Sequence, residues 1–260
     1  MTTINEFVHS IINLKASDEC KALTSFRTDN IPKWFKLLEL QNCIVTDPLR
    51  LSFVGSDFTL AFRGPEEQKA KNVITVICDY IRNGGTDTIV MPMSFGTSLT
   101  YHTNVIIINP LRHEFERFEP YGQYRRKAEI QSKAAVYQLD EAMNTFMRTK
   151  LYDYCPFLHS FNYITTADFC PLFKAPQSIQ EKPVFDKVRK NETVEFVGFC
   201  TIWSMMYAHL RILFPEMSGE QVLTELLSSV KRRTLLRVTW DVPTAMTKLV
   251  QRYACYLLSL

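Results

Sequence analysis

Apolar positions recur at two periods along this chain, and the switches between them mark out its elements. Residues 4–14 (INEFVHSIINL) repeat at helical spacing and predict a short amphipathic helix, and Trp34–Leu40 predicts a second apolar helical patch. Residues 44–62 predict short strands broken by Asp47-Pro48 and Gly55-Ser56 turns. Residues 66–82 predict a helix: Pro65 precedes it, Glu66 and Glu67 fill its first turn, and Asn83-Gly84-Gly85 stops it. Residues 87–95 and 102–109 predict strands; the second, HTNVIIIN, is apolar on both faces, as a central strand is. EFERFE at 114–119 alternates and predicts the next strand, and residues 128–151 predict a long helix. Residues 152–199, with Pro156, Pro171, Pro176 and Pro183, read as irregular. Helices follow from Cys200 to before Pro215, from a Ser218-Gly-Glu-Gln capping box, and from about Thr244 to the C-terminus. Strands followed by helices predict an α+β fold, with residues 1–87 as an N-terminal accessory segment and 88–260 as the core.

Composition supports a globular reading: 46% of residues are hydrophobic and 12% aromatic, enough to fill a sizeable core. No apolar run approaches the roughly 18–20 residues a membrane helix needs, and MTTINEFVHS lacks the pattern of a secretory signal. The net charge of +3 gives little case for nucleic acid as a partner, and Lys231-Arg232-Arg233 and Arg125-Arg126-Lys127 read as solvated surface. No glycine-rich phosphate loop is present, which argues against a nucleotide-dependent enzyme. Seven cysteines at irregular spacing predict reduced thiols, as in a cytosolic or nuclear protein. Cys155, His159 and Cys170 form a C-x3-H pair with one further Cys; without a fourth ligand they read as core residues rather than a zinc site, and no metal or other cofactor is expected.

Candidate chemistry begins at Asn109-Pro110, a turn signal between two strands. An even-numbered loop centred between Pro110 and Leu111 sets His102 directly opposite Glu119 on one face, with Cβ atoms roughly 4.5–5.5 Å apart. Glu116 then opposes Val105 on the other face. A carboxylate beside an imidazole stabilises its charged form and fixes its tautomer, although the same pair also arises as an ordinary cross-strand contact. Cys200 opens a helical run with apolar residues at 199, 202, 203, 206, 210 and 213, and Gly198 allows a tight entry. A thiol in a first helical turn faces unpaired N–H groups and the positive end of the dipole, which favour the thiolate; a small buried core residue is the alternative reading. His209 lies about 180° round the same helix and roughly 13 Å along it, so it cannot serve as a base for Cys200. Gln177 follows Ala175-Pro176 in what reads as a constrained extended segment, and its amide can donate to a developing oxyanion.

Together, the order His102, Glu119, Gln177, Cys200, with FEPYG at 118–122 and GFC at 198–200, resembles the adenovirus-protease and Ulp1-like cysteine peptidases. Ulp1-like proteins of large DNA viruses are the nearer likeness, through His102-Thr103-Asn104, Glu116-Arg117-Phe118-Glu119-Pro120, Pro176-Gln177 and Gly198-Phe199-Cys200-Thr201-Ile202-Trp203. The resemblance spans roughly residues 88–215 and implies a papain-like fold in circularly permuted form. It implies Cys200 as nucleophile, His102 as base, Glu119 as the orienting acid and Gln177 as an oxyanion donor. Asn104, Gly198, Phe199 and Trp203 would line the substrate. The implied substrates are viral precursor proteins or ubiquitin-like conjugates, with virion or capsid proteins as further partners, and the implied location is the host cytoplasm or the virion. Two features depart from the pattern: Thr103 stands where Ulp1-like peptidases usually carry Trp, and a charged stretch, EKPVFDKVRKNETVE, separates Gln177 from Cys200. A virion component that keeps the fold but is catalytically silent is the alternative function.

Overall fold

A computed structural model describes residues 3–14, 31–38, 40, 42–54, 59–97, 100–120, 134–169, 175–180, 199–236 and 240–260. In chain order the elements are α1 (Ile4–Ile12), α2 (Ile31–Leu37), β1 (Cys43–Val45), β2 (Leu49–Val54), β3 (Thr59–Ala61), α3 (Pro65–Arg82), β4 (Thr88–Thr97), β5 (Thr100–Asn109) and β6 (Glu114–Phe118). They continue with α4 (Ala134–Arg148), α5 (Lys150–Tyr154), a 3-10 turn (Pro156–Ser160), β7 (Asn162–Ile164), α6 (Thr166–Phe169), α7 (Pro176–Gln180), α8 (Cys200–Leu213), α9 (Gly219–Leu236) and α10 (Val242–Leu258). The stretch expected to be irregular therefore holds several short elements. Local chemistry starts the long helices. Ser218 and Gln221 form the expected capping box before α9, at 3.2 and 2.7 Å. Thr3 and Glu6 form another before α1, and Asp241 caps α10 through the Thr244 N–H.

The strands form one mixed sheet in the order β3-β2-β4-β5-β6-β7, with β1 also paired to β4. β5 runs antiparallel to both β4 and β6; β1 and β2 lie parallel to β4, and β7 parallel to β6. The α+β class is as the sequence predicts. Strands β1 to β3 precede residue 88 and belong to the same sheet as β4 to β7. Helices cover both faces. Val105 and Ile107 of β5 pack with α1, α8, α9 and α10, whereas Ile106 and Ile108 pack with α3, α4 and α5. All four are at most 1% exposed, which is why β5 reads as apolar on both faces.

The β5–β6 turn differs from the expected one. It spans Pro110 to His113: Asn109 Oδ1 accepts from the Arg112 N–H at 3.1 Å, and His113 takes the left-handed conformation (φ 50°). The turn is thus centred one residue later than expected, between Leu111 and Arg112, and Glu116 pairs with Ile107 instead of Val105. A slide by two keeps every side chain on its expected face, because strand side chains alternate with period two.

Two further expectations are corrected. Helix α8 is not amphipathic: every residue from Cys200 to Arg211 is buried, because the sheet covers one side and α1 and α10 the other. Nor are all the cysteines reduced, since Cys78 of α3 is disulfide-bonded to Cys155 after α5, across 77 positions of sequence. That separation carries no local signal; packing of α3 against α5 and the 3-10 turn brings the two together. With Cys155 in a disulfide, the Cys155, His159, Cys170 set loses one of its ligands; the His159 ring packs at a tilt against Tyr152, and Cys170 lies outside the described residues.

His209 is buried at the junction of α8, α10 and α1, with Nδ1 3.1 Å from Tyr253 Oη and its ring edge-on to Phe7. Burial lowers its pKa to about 4. The unfolded chain then takes up a proton near pH 6.5 that the folded chain refuses until about pH 4, so stability is full above 6.5 and falls on acidification. Urea unfolding of the wild type is expected to lose roughly 3 kcal/mol more than His209→Gln between pH 6.5 and 4. Parallel pH profiles for the two proteins would contradict this account.

Candidate active site

The ends of β5 and β6 and the start of α8 converge. Glu119 follows the last residue of β6 and is 2% exposed. His102 Nε2 lies 2.8 and 2.7 Å from its two carboxylate oxygens. Asn104 Nδ2 donates to Glu119 Oε2 at 2.8 Å, while Asn104 Oδ1 accepts from Arg117 Nη1, also at 2.8 Å. His102 and Asn104 are alternate positions of β5, and Arg117 and Glu119 alternate positions of the neighbouring strand, so all four share a face. Continuing the observed register places Glu119 opposite Asn104, and His102 reaches the carboxylate along the diagonal.

Cys200 is the first residue of α8 and is 7% exposed. A hydrogen bond also joins the His102 ring to Cys200. Burial alone would lower the imidazole's pKa, but the Glu119 charge and the hydrogen bonds to Cys200 and Glu119 outweigh it and push the value up to about 10. For the Cys200 thiol, burial works against ionisation; the hydrogen bond and charge of His102 and a backbone hydrogen bond from Thr103 prevail, and its pKa falls below the ordinary thiol value. Both shifts favour a thiolate beside an imidazolium. That arrangement supplies a nucleophile and a proton donor at adjacent atoms.

Gln177 does not lie in an extended segment. Pro176 opens the short helix α7, and the Gln177 N–H donates to Pro120 O at 3.1 Å, just beyond Glu119. Gln177 is fully buried. Three residues on, Gln180 Oε1 accepts from Trp203 Nε1 at 2.7 Å, which ties α7 to the first turn of α8. Asn104 and Trp203 are 0% and 1% exposed, with internal partners for their polar groups, so neither presents a surface to a substrate as expected. Phe199 caps α8 and packs in the core with Ile202 and Trp203; Gly198 lies outside the described residues.

No family model matches the chain, and no curated protein matches it in sequence. Solved structures do overlie it. The C-terminal Ulp1 protease domain in complex with Smt3, the yeast ortholog of SUMO, is 11% identical, with 98% of this chain and 94% of that one covered at a TM-score of 0.35. The SUMO protease Ulp1 with its catalytic cysteine oxidized to a sulfonic acid is 12% identical, covering 83% and 96% at 0.28. The Legionella pneumophila effector protein RavZ is 11% identical, covering 76% and 62% at 0.31. Overlaps this loose carry no weight for the site, whose chemistry rests on its own geometry.

Sequence reasoning missed the group that anchors α8 to the sheet. Glu116, on the face of β6 opposite Glu119, accepts from Tyr207 Oη at 2.7 Å and from Arg211 Nε at 2.5 Å. Arg211 also donates to Met217 O. Gly219 closes over this cluster; a Cβ there would clash with Tyr207 Oη and come within 2.9 Å of Glu116 Oε2. The available signal was Arg211, the one Lys, Arg, Asp or Glu in the Cys200–Leu213 helix.

Glu119→Gln keeps the shape of the acid and removes its charge. Iodoacetamide labelling of Cys200 at pH 6 is expected to slow at least tenfold in this variant, as the thiolate loses its imidazolium partner. Unchanged labelling would remove Glu119 from the site's electrostatics.

Proposed function

We propose that this protein is a thiol-dependent peptidase or isopeptidase. The observation that carries the reading is the connected chain Glu119, His102, Cys200, in which a buried carboxylate holds the imidazole charged and the imidazole lowers the pKa of the thiol at the head of a helix. In the first step the Cys200 thiolate attacks the carbonyl carbon of a peptide or isopeptide bond, forming the C–S bond while the carbonyl oxygen takes the negative charge. The Cys200 backbone N–H and the Gln177 amide hold that oxygen. The imidazolium of His102 gives its proton to the leaving amine as the C–N bond breaks. In the second step His102 takes a proton from water, the hydroxide attacks the thioester, and the acid product and the Cys200 thiolate are released. Asn104 donates to Glu119 and accepts from Arg117, so the two hold the acid in place.

The motif resemblance, not the overlaid structures, gives the substrate class: ubiquitin-like conjugates or precursor proteins, those of a large DNA virus among them, on a permuted papain-like fold. The low exposure of Cys200 favours the second reading, a silent protein that keeps the fold. A ubiquitin-like protein carrying a C-terminal thiol-reactive group separates the two. The wild type is expected to form a covalent adduct and Cys200→Ala none. Gln177→Ala is expected to lower turnover by about 100-fold while Cys200 alkylation is unchanged. A folded wild type that neither labels with such probes nor cleaves viral-type precursor peptides contradicts the proposal.

A further inference from the structure

The proposed nucleophile and base sit on different elements, so their alignment depends on how β5 meets the first turn of α8. The described β5–β6 ladder ends at Val105 and Phe118, and beyond it α8 lies against β5. The residues that follow the base and the nucleophile in sequence touch each other there: Thr103 Oγ1 lies 2.9 Å from Thr201 Oγ1. The two are 2% and 6% exposed. The Thr103 carbonyl also accepts from Ser204 Oγ at 3.3 Å, and its backbone hydrogen-bonds to Cys200. One strand residue thus grips positions 200, 201 and 204, which fall together at the start of α8.

Packing alone does not call for hydroxyls at this contact. Valine has the shape of threonine and would fill the same buried volume without a polar group to desolvate. What the hydroxyl pair adds is direction. It fixes the χ1 of two stiff β-branched side chains, and with them the slide and rotation of α8 against β5. Each hydroxyl is one residue from a member of the ion pair, so an error in that slide passes directly into the distance between sulfur and imidazole. Glu116 and Arg211 anchor the same helix further along, at a contact distant in sequence from Cys200, and leave its first turn to be set locally.

We infer that the Thr103–Thr201 hydroxyl pair is a positioning brace that holds Cys200 and His102 in ion-pair register; this rests on the thiolate–imidazolium reading of the site. Thr103 and Thr201 are positioning residues and touch no substrate atom.

The test compares Thr103→Val, Thr201→Val, their combination and Thr103→Ser by the pH dependence of Cys200 alkylation, with thermal melts alongside. Each valine variant is expected to move the thiolate midpoint toward the ordinary thiol value, slowing alkylation at pH 6 by about tenfold per pH unit of that shift. The double variant is expected to be no slower than either single, since both remove one contact, and Thr103→Ser to stay within about twofold of the wild type. Should a valine variant lose its cooperative melt, Thr201→Ala removes the same hydroxyl and takes its place. Wild-type alkylation profiles in the valine variants overturn the inference, as do additive effects in the double or a Thr103→Ser loss as large as that of valine. A wild-type Cys200 that titrates as an ordinary thiol overturns it together with the site reading. A depressed wild-type midpoint in a protein that cleaves nothing leaves the brace standing without the peptidase.

Discussion

A carboxylate buried at a strand end requires partners, and the Glu119 carboxylate organises everything around it. Leaving such a charge uncompensated costs several kcal/mol, whereas three neighbours here share it: His102 and Asn104 by hydrogen bonds, and Arg117 at 4.0 Å. The consequence is chemical as well as structural. A charge that cannot be solvated by water is solvated by an imidazolium, and that imidazolium in turn favours a thiolate at Cys200.

Strand β6 serves two masters through its two faces. Glu119 on one face sets the charge of His102, while Glu116 on the other binds Tyr207 and Arg211 and so fixes the helix that begins at Cys200. Both acids belong to the six-residue run EFERFE. The sheet therefore carries His102, Glu119 and the helix anchor Glu116 together, which is the kind of support a preorganised site needs. The helices on the far sides of both cores contribute burial, with α1 and α10 enclosing α8 through Phe7, Tyr253 and His209.

Much of this was legible from the amino-acid order, for reasons that differ from residue to residue. The apolar run in β5 announced a central strand because both its faces are buried. His102 and Glu119 were placed on one face from a turn centred one residue too early, and the conclusion survived because parity, not exact pairing, decides the face. The same error hid Asn104 as the residue opposite Glu119; the resemblance had assigned it to the substrate, whereas its amide donates to the Glu119 carboxylate. Elements within 152–199 escaped because four prolines and short lengths erase periodicity, and the Cys78–Cys155 disulfide because only tertiary packing joins its halves. The hydroxyl contact of Thr103 and Thr201 has no signature at all in a linear sequence.

The central claim is that His102 is an imidazolium at neutral pH, held so by Glu119 and Cys200. Nitrogen-15 NMR of histidine-labelled protein, with His102→Gln to assign the signal, reads this directly. The account predicts that the His102 ring stays doubly protonated through neutral pH and titrates at about 10. A ring that loses its proton near 6.5, as an isolated histidine does, would contradict it.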